Sequence, residues 1–148
     1  MTLYIDGDAF PNILKPILFR AIKRLKLATI VISNKCINIG KSNYITYILV
    51  GSDIDEADNR IVEIVKEGDL VITADIPLAD RVITKKAIAI DHRGKLFSAN
   101  NIKQYLAMRN LMQDIRDSGE YTKGQSPINK KEAHKFANQF NQILSKQK

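Results

Sequence analysis

Four aspartates have the residue type and spacing best suited to chemistry. Asp6 and Asp8 flank one glycine directly after a short β-rich run, Asp58 lies near the middle of the chain, and Asp75 follows another apolar run by two residues. Carboxylates that converge within a few ångströms repel one another, and a divalent cation ordinarily relieves that repulsion. Because every candidate ligand is a hard oxygen donor, Mg²⁺ or Mn²⁺ is favoured. The sequence therefore predicts a metal-binding acidic pocket.

Such a pocket requires elements that bring these acids to one place. Short apolar runs alternate with segments of helical periodicity, which predicts an α/β fold with a parallel sheet and right-handed crossovers. The predicted strands are 2–5, 28–32, 45–50, 69–73 and 87–90, and the helices between them are 11–26, 56–67 and 77–86. Ligands of such sheets bind beyond the carboxyl ends of the strands. Asp6, Asp8 and Asp75 are expected at that edge.

A second acidic cluster opens the helix predicted at 56–67. Asp55 and Asp58 are three residues apart, so at a helix start they project to the same side, and Asp55 is the candidate outer ligand. A single acid at a strand end is more often a helix N-cap, which is how we interpret Asp53, while Asp69 is interpreted as a turn residue. Four independent caps, however, would not need to share one edge of the sheet. That reasoning favours function for the four aspartates together.

The remaining length adds helices without a second set of candidate ligands. Residues 101–117 and 129–146 have helical periodicity around a polar stretch at 118–128, which predicts one domain of 148 residues with a core of about 1–117 and a C-terminal loop and helix of about 118–148. No apolar run approaches the roughly 20 residues that span a bilayer, and no signal peptide is evident. The single cysteine, Cys36, excludes an internal disulfide and is expected to be buried. We expect a cytoplasmic protein without a membrane partner.

The net charge of +7 suggests a polyanionic ligand. The excess of positive charge lies in the first fifty residues and in the tail, whereas the middle of the chain is close to neutral because it holds most of the acids. This distribution suits a polyanion such as nucleic acid, although the charge alone is also compatible with a role in solubility. Thr73 is expected to donate a hydrogen bond to a ligand carboxylate or to a phosphate. The candidates for phosphate contacts are Lys15, Arg20, Lys85, Lys86 and Arg93. His92 and His134 are interpreted as ordinary surface or core histidines. The sequence leaves open whether the protein forms a homo-oligomer.

Several stretches of the chain are similar to a known family. Residues 6–11, 55–59 and 68–79 resemble the YaiI/YqxD family of bacterial proteins, and shorter matches follow at 93–94, 101–102 and 106–109. The resemblance covers nearly the whole chain, and its most specific part is the stretch from Thr73 to Ala79. It implies a PIN-like domain, which is a three-layer, Rossmann-like parallel sheet flanked by helices, here with a C-terminal helical extension. It also implies a ribonuclease that depends on Mg²⁺ or Mn²⁺, so RNA is expected as the nucleic acid in preference to DNA.

The resemblance assigns roles to the same acids. Asp6 and Asp8 match the acidic pair after the first strand, Asp58 with Asp55 beside it matches the acid of the central helix, and Asp75 matches the acid after the Thr-x-Asp turn. Two departures lie beside them: Gly7 stands where the family usually has alanine, and Phe10 where it has cysteine, which argues against an essential thiol. The usual Gly-Gly-Pro near the end is replaced at 123–125 by Lys-Gly-Gln.

Two other functions stay open at this point. The Asp-x-Asp pattern after the first strand is also the nucleophile pattern of haloacid-dehalogenase-like phosphatases, in which the first carboxylate attacks. That chemistry would require a hydroxyl residue in place of Phe10 and a well-placed lysine. Alternatively, a basic domain with a metal in an acidic pocket binds RNA without turnover, and RNA binding with a steep salt dependence and no product would distinguish it.

Overall fold

The computed structural model describes residues 1–53, 55–119 and 127–146. The strands are β1 (Leu3–Asp6), β2 (Thr29–Ser33), β3 (Ile45–Leu49), β4 (Leu70–Ile72), β5 (Ile88–Ile90) and β6 (Leu96–Phe97). The helices are α1 (Lys15–Leu25), α2 (Glu56–Ile64), α3 (Ile76–Thr84), α4 (Ile102–Asp117) and α5 (Lys130–Lys146), and a 3₁₀ turn at Asn12–Leu14 precedes α1. Each predicted strand and helix is present with boundaries shifted by a few residues.

One six-stranded sheet has the order β3-β2-β1-β4-β5-β6, with β1 to β5 parallel and β6 antiparallel to β5. The chain moves outward from β1 to β3 and then returns to the other side of β1 to form β4. The point at which the strand order reverses therefore lies between β1 and β4, and crevices that bind ligands open there in α/β sheets. This arrangement confirms the predicted parallel α/β fold. The two-residue β6 was too short to predict.

Helices cover both faces of the sheet and make three layers. On one face, Leu3 and Ile5 of β1 pack in the cluster that contains buried residues of α1 and α5, and on the other face Tyr4 packs with buried residues of α2 and α3. Side chains alternate along a strand, so Asp6 falls on the same face as Tyr4. The carboxylate at the end of β1 therefore emerges beneath α2 and α3.

Several local predictions need correction. The segment predicted as one helix at 11–26 begins as the 3₁₀ turn, because α1 starts at Lys15 with Pro16 in its first turn, where a missing N–H costs no helical hydrogen bond. Cys36 is exposed rather than buried. The apolar residues that recur at helical spacing along α4 include Met108 and Leu111, but these are 57% and 53% exposed. The departure at 123–125 lies outside the described residues.

None of the helices in the described part of the chain is both long enough and apolar enough to span a membrane.

Candidate functional site

Asp6 is held at the end of β1 by a hydroxyl from the neighbouring strand. The Oγ1 of Thr73, directly after β4, donates to Asp6 Oδ2 at 2.8 Å and accepts from the backbone N–H of Asp75 at 3.0 Å. The second carboxylate oxygen of Asp6 accepts from the N–H of Asp8 at 3.3 Å. Because Thr73 is fully buried, its hydroxyl contacts this carboxylate rather than solvent. Thr73 therefore fixes the relative positions of Asp6 and Asp75.

Asp75 caps α3 and faces the pocket at the same time. Its Oδ1 accepts from the N–H of Leu78 at 3.0 Å, which satisfies one of the free donors of the first helical turn. The carboxyl group of Asp58, in the first turn of α2, is hydrogen-bonded to Asp75. The cap and the acidic cluster are thus built from the same side chain, so the two interpretations weighed for strand-end aspartates do not exclude each other.

Asp8 is tied to the end of β2. Its Oδ1 accepts from Ser33 Oγ at 3.0 Å and from the N–H of Asn34 at 2.9 Å. Between the two acids, Gly7 lies so close to β2 that an added Cβ would fall 2.8 Å from Ser33 Cβ. The absence of a side chain at Gly7 lets the turn after β1 lie against β2. The structure therefore positions the acidic pair from both neighbours of β1.

The carboxyl groups carry the electrostatic signature of a crowded acidic pocket. Burial, and then the charges of Asp8 and Asp75, raise the pKa of Asp6 to about 6, although the hydrogen bonds from Thr73 and the Asp8 N–H oppose the shift. Burial, followed by the charges of Asp75 and Asp6, the hydrogen bond to Asp75 and the charge of Asp55, raises the pKa of Asp58 to about 7. Protonation of these carboxyl groups near neutral pH thus relieves their mutual repulsion, and a bound cation could relieve it instead.

The pocket itself has a volume of about 410 Å³. All five sequence-predicted metal ligands line it: Asp6, Asp8, Asp55, Asp58 and Asp75. Asp53 and Glu56 line it as well. No group of three or more His, Cys, Asp and Glu side chains in the described ranges is arranged so that it could hold an ion as it stands. Within the pocket, the carboxyl groups of Asp58 and Asp75 are within hydrogen-bonding reach of each other.

The predicted phosphate contacts are not brought to this pocket. Arg20 lines a separate cavity between α1 and α5, and Lys85 donates from Nζ to the carbonyl of Val62. Lys86, beside it, lines another cavity near β6. Since α3 begins at the carboxyl edge of the sheet, its C-terminal lysines lie at the opposite edge. Arg93 forms an ion pair with Glu132 of α5.

His92 is a pocket residue that sequence reasoning missed. Its ring lines the acidic pocket, is only 8% exposed and meets Phe10 edge-on with 5.3 Å between ring centroids. Among the described residues its buried Nε2 has no hydrogen-bond partner. Burial, and then the charge of Arg93, lower the pKa of His92 to about 4, so the ring is neutral at pH 7. Its place two residues after β5, at the same sheet edge, was the signal that could have identified it.

Comparison with known proteins gives a match over nearly the whole chain. The family model described as "Uncharacterized BCR, YaiI/YqxD family" matches residues 4–146. A UPF0178 protein of Sulfurimonas denitrificans is 68% identical over 146 residues, 99% of this chain and 97% of the relative. Those of Sulfurovum sp. and Hahella chejuensis are 64% and 45% identical, covering 99% of this chain in each case and 99% and 97% of the relative. No solved structure matches significantly.

Proposed function

This chain belongs to the YaiI/YqxD family, and we propose that its acidic pocket hydrolyses phosphodiester bonds, RNA being the expected substrate, with Mg²⁺ or Mn²⁺ as cofactor. One observation carries the proposal. Asp6, Asp58 and Asp75 come from three different elements and meet at the reversal point of the sheet, where two of the three have a raised carboxyl pKa. Three aspartates with purely structural roles would not need to lie so close together that their carboxyl groups repel one another.

The donor set fits a hard divalent cation. Every acid in the pocket offers oxygen, and oxygen is the donor that Mg²⁺ and Mn²⁺ prefer. Asp6, Asp8 and Asp75 are each held by hydrogen bonds to one or both oxygens, but no three acids of the described ranges are arranged to hold an ion as they stand, so ligation would require their side chains to rearrange. Among the described residues, the Asp58 carboxyl interacts by hydrogen bonding with Asp75 alone, and its proton is the one that a cation would replace. Ligation is therefore assigned to these four, with Asp55 outside them.

The chain's own groups account for the remaining requirements of hydrolysis. A bound divalent ion would supply positive charge to a phosphoryl oxygen and make water more acidic. Thr73 keeps Asp6 from rotating, and the α3 cap does the same for Asp75. His92 places a neutral ring at the pocket wall, and its buried Nε2 has no hydrogen-bond partner among the described residues.

A phosphatase of the haloacid-dehalogenase type receives less support. That chemistry would make Asp6 the nucleophile and would need a lysine and a hydroxyl side chain beside it. No lysine is found among the described residues that line the pocket, and Phe10 packs against His92 where a hydroxyl would be needed. Trapping a phospho-aspartate at Asp6 would restore this alternative.

The decisive experiment combines cleavage with location of the ion. Purified protein is incubated with single-stranded RNA and Mn²⁺, and with an excess of chelator as control. We expect products only with the metal, and anomalous density between Asp6, Asp8, Asp58 and Asp75 in a crystal soaked in Mn²⁺. Metal density without any cleavage would favour the binding protein without turnover. Cleavage that persists in chelator would exclude the metal-dependent mechanism.

A further inference from the structure

A second concavity adjoins the acidic pocket. This cavity, which we call the α4 groove, has a volume of about 940 Å³ and lies between α4 and the turn at 91–95. Three residues line both it and the acidic pocket: Ala9, Ala74 and His92. A ligand whose reacting group lies in the pocket can therefore continue into the groove.

The charge of the α4 groove is opposite to that of the pocket. Its lining includes the cations Arg93, Lys95, Arg109 and Arg116, against Asp91 as the one acid in that part of the lining which the structure describes. Asp91 accepts from the backbone N–H groups of residues 93 and 95 and so shapes the turn. No acidic side chain of the described ranges forms an ion pair with Lys95, Arg109 or Arg116. Such a surface is complementary to a polyanion.

Apolar side chains lie between these cations. Met108 and Met112, one helical turn apart on α4, line the groove, and Met108 is 57% exposed. Lys95 Nζ lies 4.3 Å from the centroid of the Tyr105 ring, which also lines the groove. Flexible thioethers adapt to irregular apolar surfaces, and unpaired bases present such surfaces. In a duplex the base faces are stacked, so this part of the groove would have no partner.

We propose that the α4 groove binds single-stranded RNA next to the bond held at the acidic pocket. The placement of the scissile bond rests on the proposed function, whereas RNA binding in the groove does not. Arg109 and Arg116 lie seven residues apart, about 10 Å along the helix axis, so they contact different phosphates of one strand. The strand passes His92 on its way from the groove into the pocket.

The test uses the full chain with both Arg109 and Arg116 changed to alanine. The matched control changes Arg24 and Arg81 to alanine. Like the groove pair, these are exposed arginines on helices, but they lie outside the groove, where each donates a hydrogen bond to an asparagine. Binding of a short fluorescent oligouridine is measured by anisotropy in chelator, where metal-dependent cleavage cannot occur. We expect the groove variant to bind about tenfold more weakly and to lose about 1.4 from the slope of log affinity against log salt. The control should bind nearly as the unmodified protein does.

Three outcomes would overturn the proposal. Equal losses in both double variants would mean that only overall charge matters. Equal affinity for inorganic polyphosphate, or for a duplex of the same length, would show that unpaired bases do not contribute. Dimerisation that the Arg109→Ala and Arg116→Ala changes abolish, without RNA binding, would assign the groove to a second copy of the chain. Binding without cleavage under Mn²⁺ would instead remove the proposed function and leave the groove standing.

Discussion

The substitution Asp75→Asn separates the helix cap from the charge. Asparagine caps helices as well as aspartate does, so its Oδ1 can still accept from the N–H of Leu78, a bond of 3.0 Å in the structure. The amide nitrogen then replaces the oxygen that faces Asp58. Because this nitrogen donates, it favours the ionised form of Asp58, whereas Asp75 favours the protonated form through its charge and its hydrogen bond. The pKa of Asp58 should therefore fall from about 7.

The expected change in stability is small and positive above pH 7. At that pH wild-type Asp58 ionises against the charge of Asp75, and each unit of pKa corresponds to about 1.4 kcal/mol. Burial comes first among the causes of the Asp58 shift, and the group is half-exposed, so the part due to Asp75 is on the order of 1 kcal/mol after allowance for solvent screening. Asp75→Ala, which also loses the cap, should be less stable than Asp75→Asn by about 1 kcal/mol.

The assay is urea unfolding at pH 8 with and without Mn²⁺, followed by RNA cleavage. A bound ion at a hundred times its dissociation constant stabilises the wild type by about 2.7 kcal/mol, and we expect Asp75→Asn to lose most of that gain together with Mn²⁺-dependent cleavage. Retention of both would refute the assignment of Asp75 as a ligand. Equal destabilisation by Asn and Ala would refute the reasoning about the cap.

Three further predictions concern pH, the buried histidine and the turn beside α5. In the folded state the pKa values of Asp6 and Asp58 are raised above the ordinary 3.8, so the native state binds more protons than the unfolded state between about pH 4 and 7. The stability of the metal-free protein should therefore fall as the pH rises through that range. Urea titrations without metal would check this. The contribution of His92 to stability has the opposite pH dependence, because its pKa is lowered in the folded state. His92→Phe removes this contribution and should steepen the fall. At pH 8, His92→Phe should cost less than about 1 kcal/mol because Nε2 has no described partner, and a larger loss on thermal unfolding would indicate one. Gly94→Ala should cost about 2–4 kcal/mol, since Gly94 has φ +89 and an added Cβ would lie 2.8 Å from the backbone of Lys135. Gly68→Ala, with φ +85 and open space, is the control and should cost about 1 kcal/mol; equal losses would contradict the role of the close contact.

The sequence located the acids better than the cations. Asp6 and Asp75 were predictable because Asp6 ends one buried strand and Asp75 comes shortly after another, and parallel strands end at a common edge. Lys85 and Lys86 follow a helix, and a helix that starts at that edge carries its end away from it. Charge and composition contain no such direction, and Arg20, a candidate phosphate contact, lines a cavity other than the acidic pocket.

Helix α4 illustrates the limits of periodicity. Its apolar residues recur at helical spacing, but Ile102 is its only buried residue in the structure, and Met108 and Leu111 are exposed. An apolar stripe shows which face of a helix is apolar, but it does not show which part of the molecule packs on that face. The neighbours decide, and here the end of α4 borders a groove instead of the core.

The sequence by itself determined the alternation of strands and helices and the position of the acids at strand ends, because both follow from local patterns and from the geometry of parallel sheets. Only the tertiary structure decided which partners these acids have. The bond from Thr73 to Asp6 joins residues 67 positions apart, and the hydrogen bond of Asp58 to Asp75 joins α2 to the cap of α3. The raised pKa values and the place of His92 follow from burial and proximity, which exist only once the chain has packed.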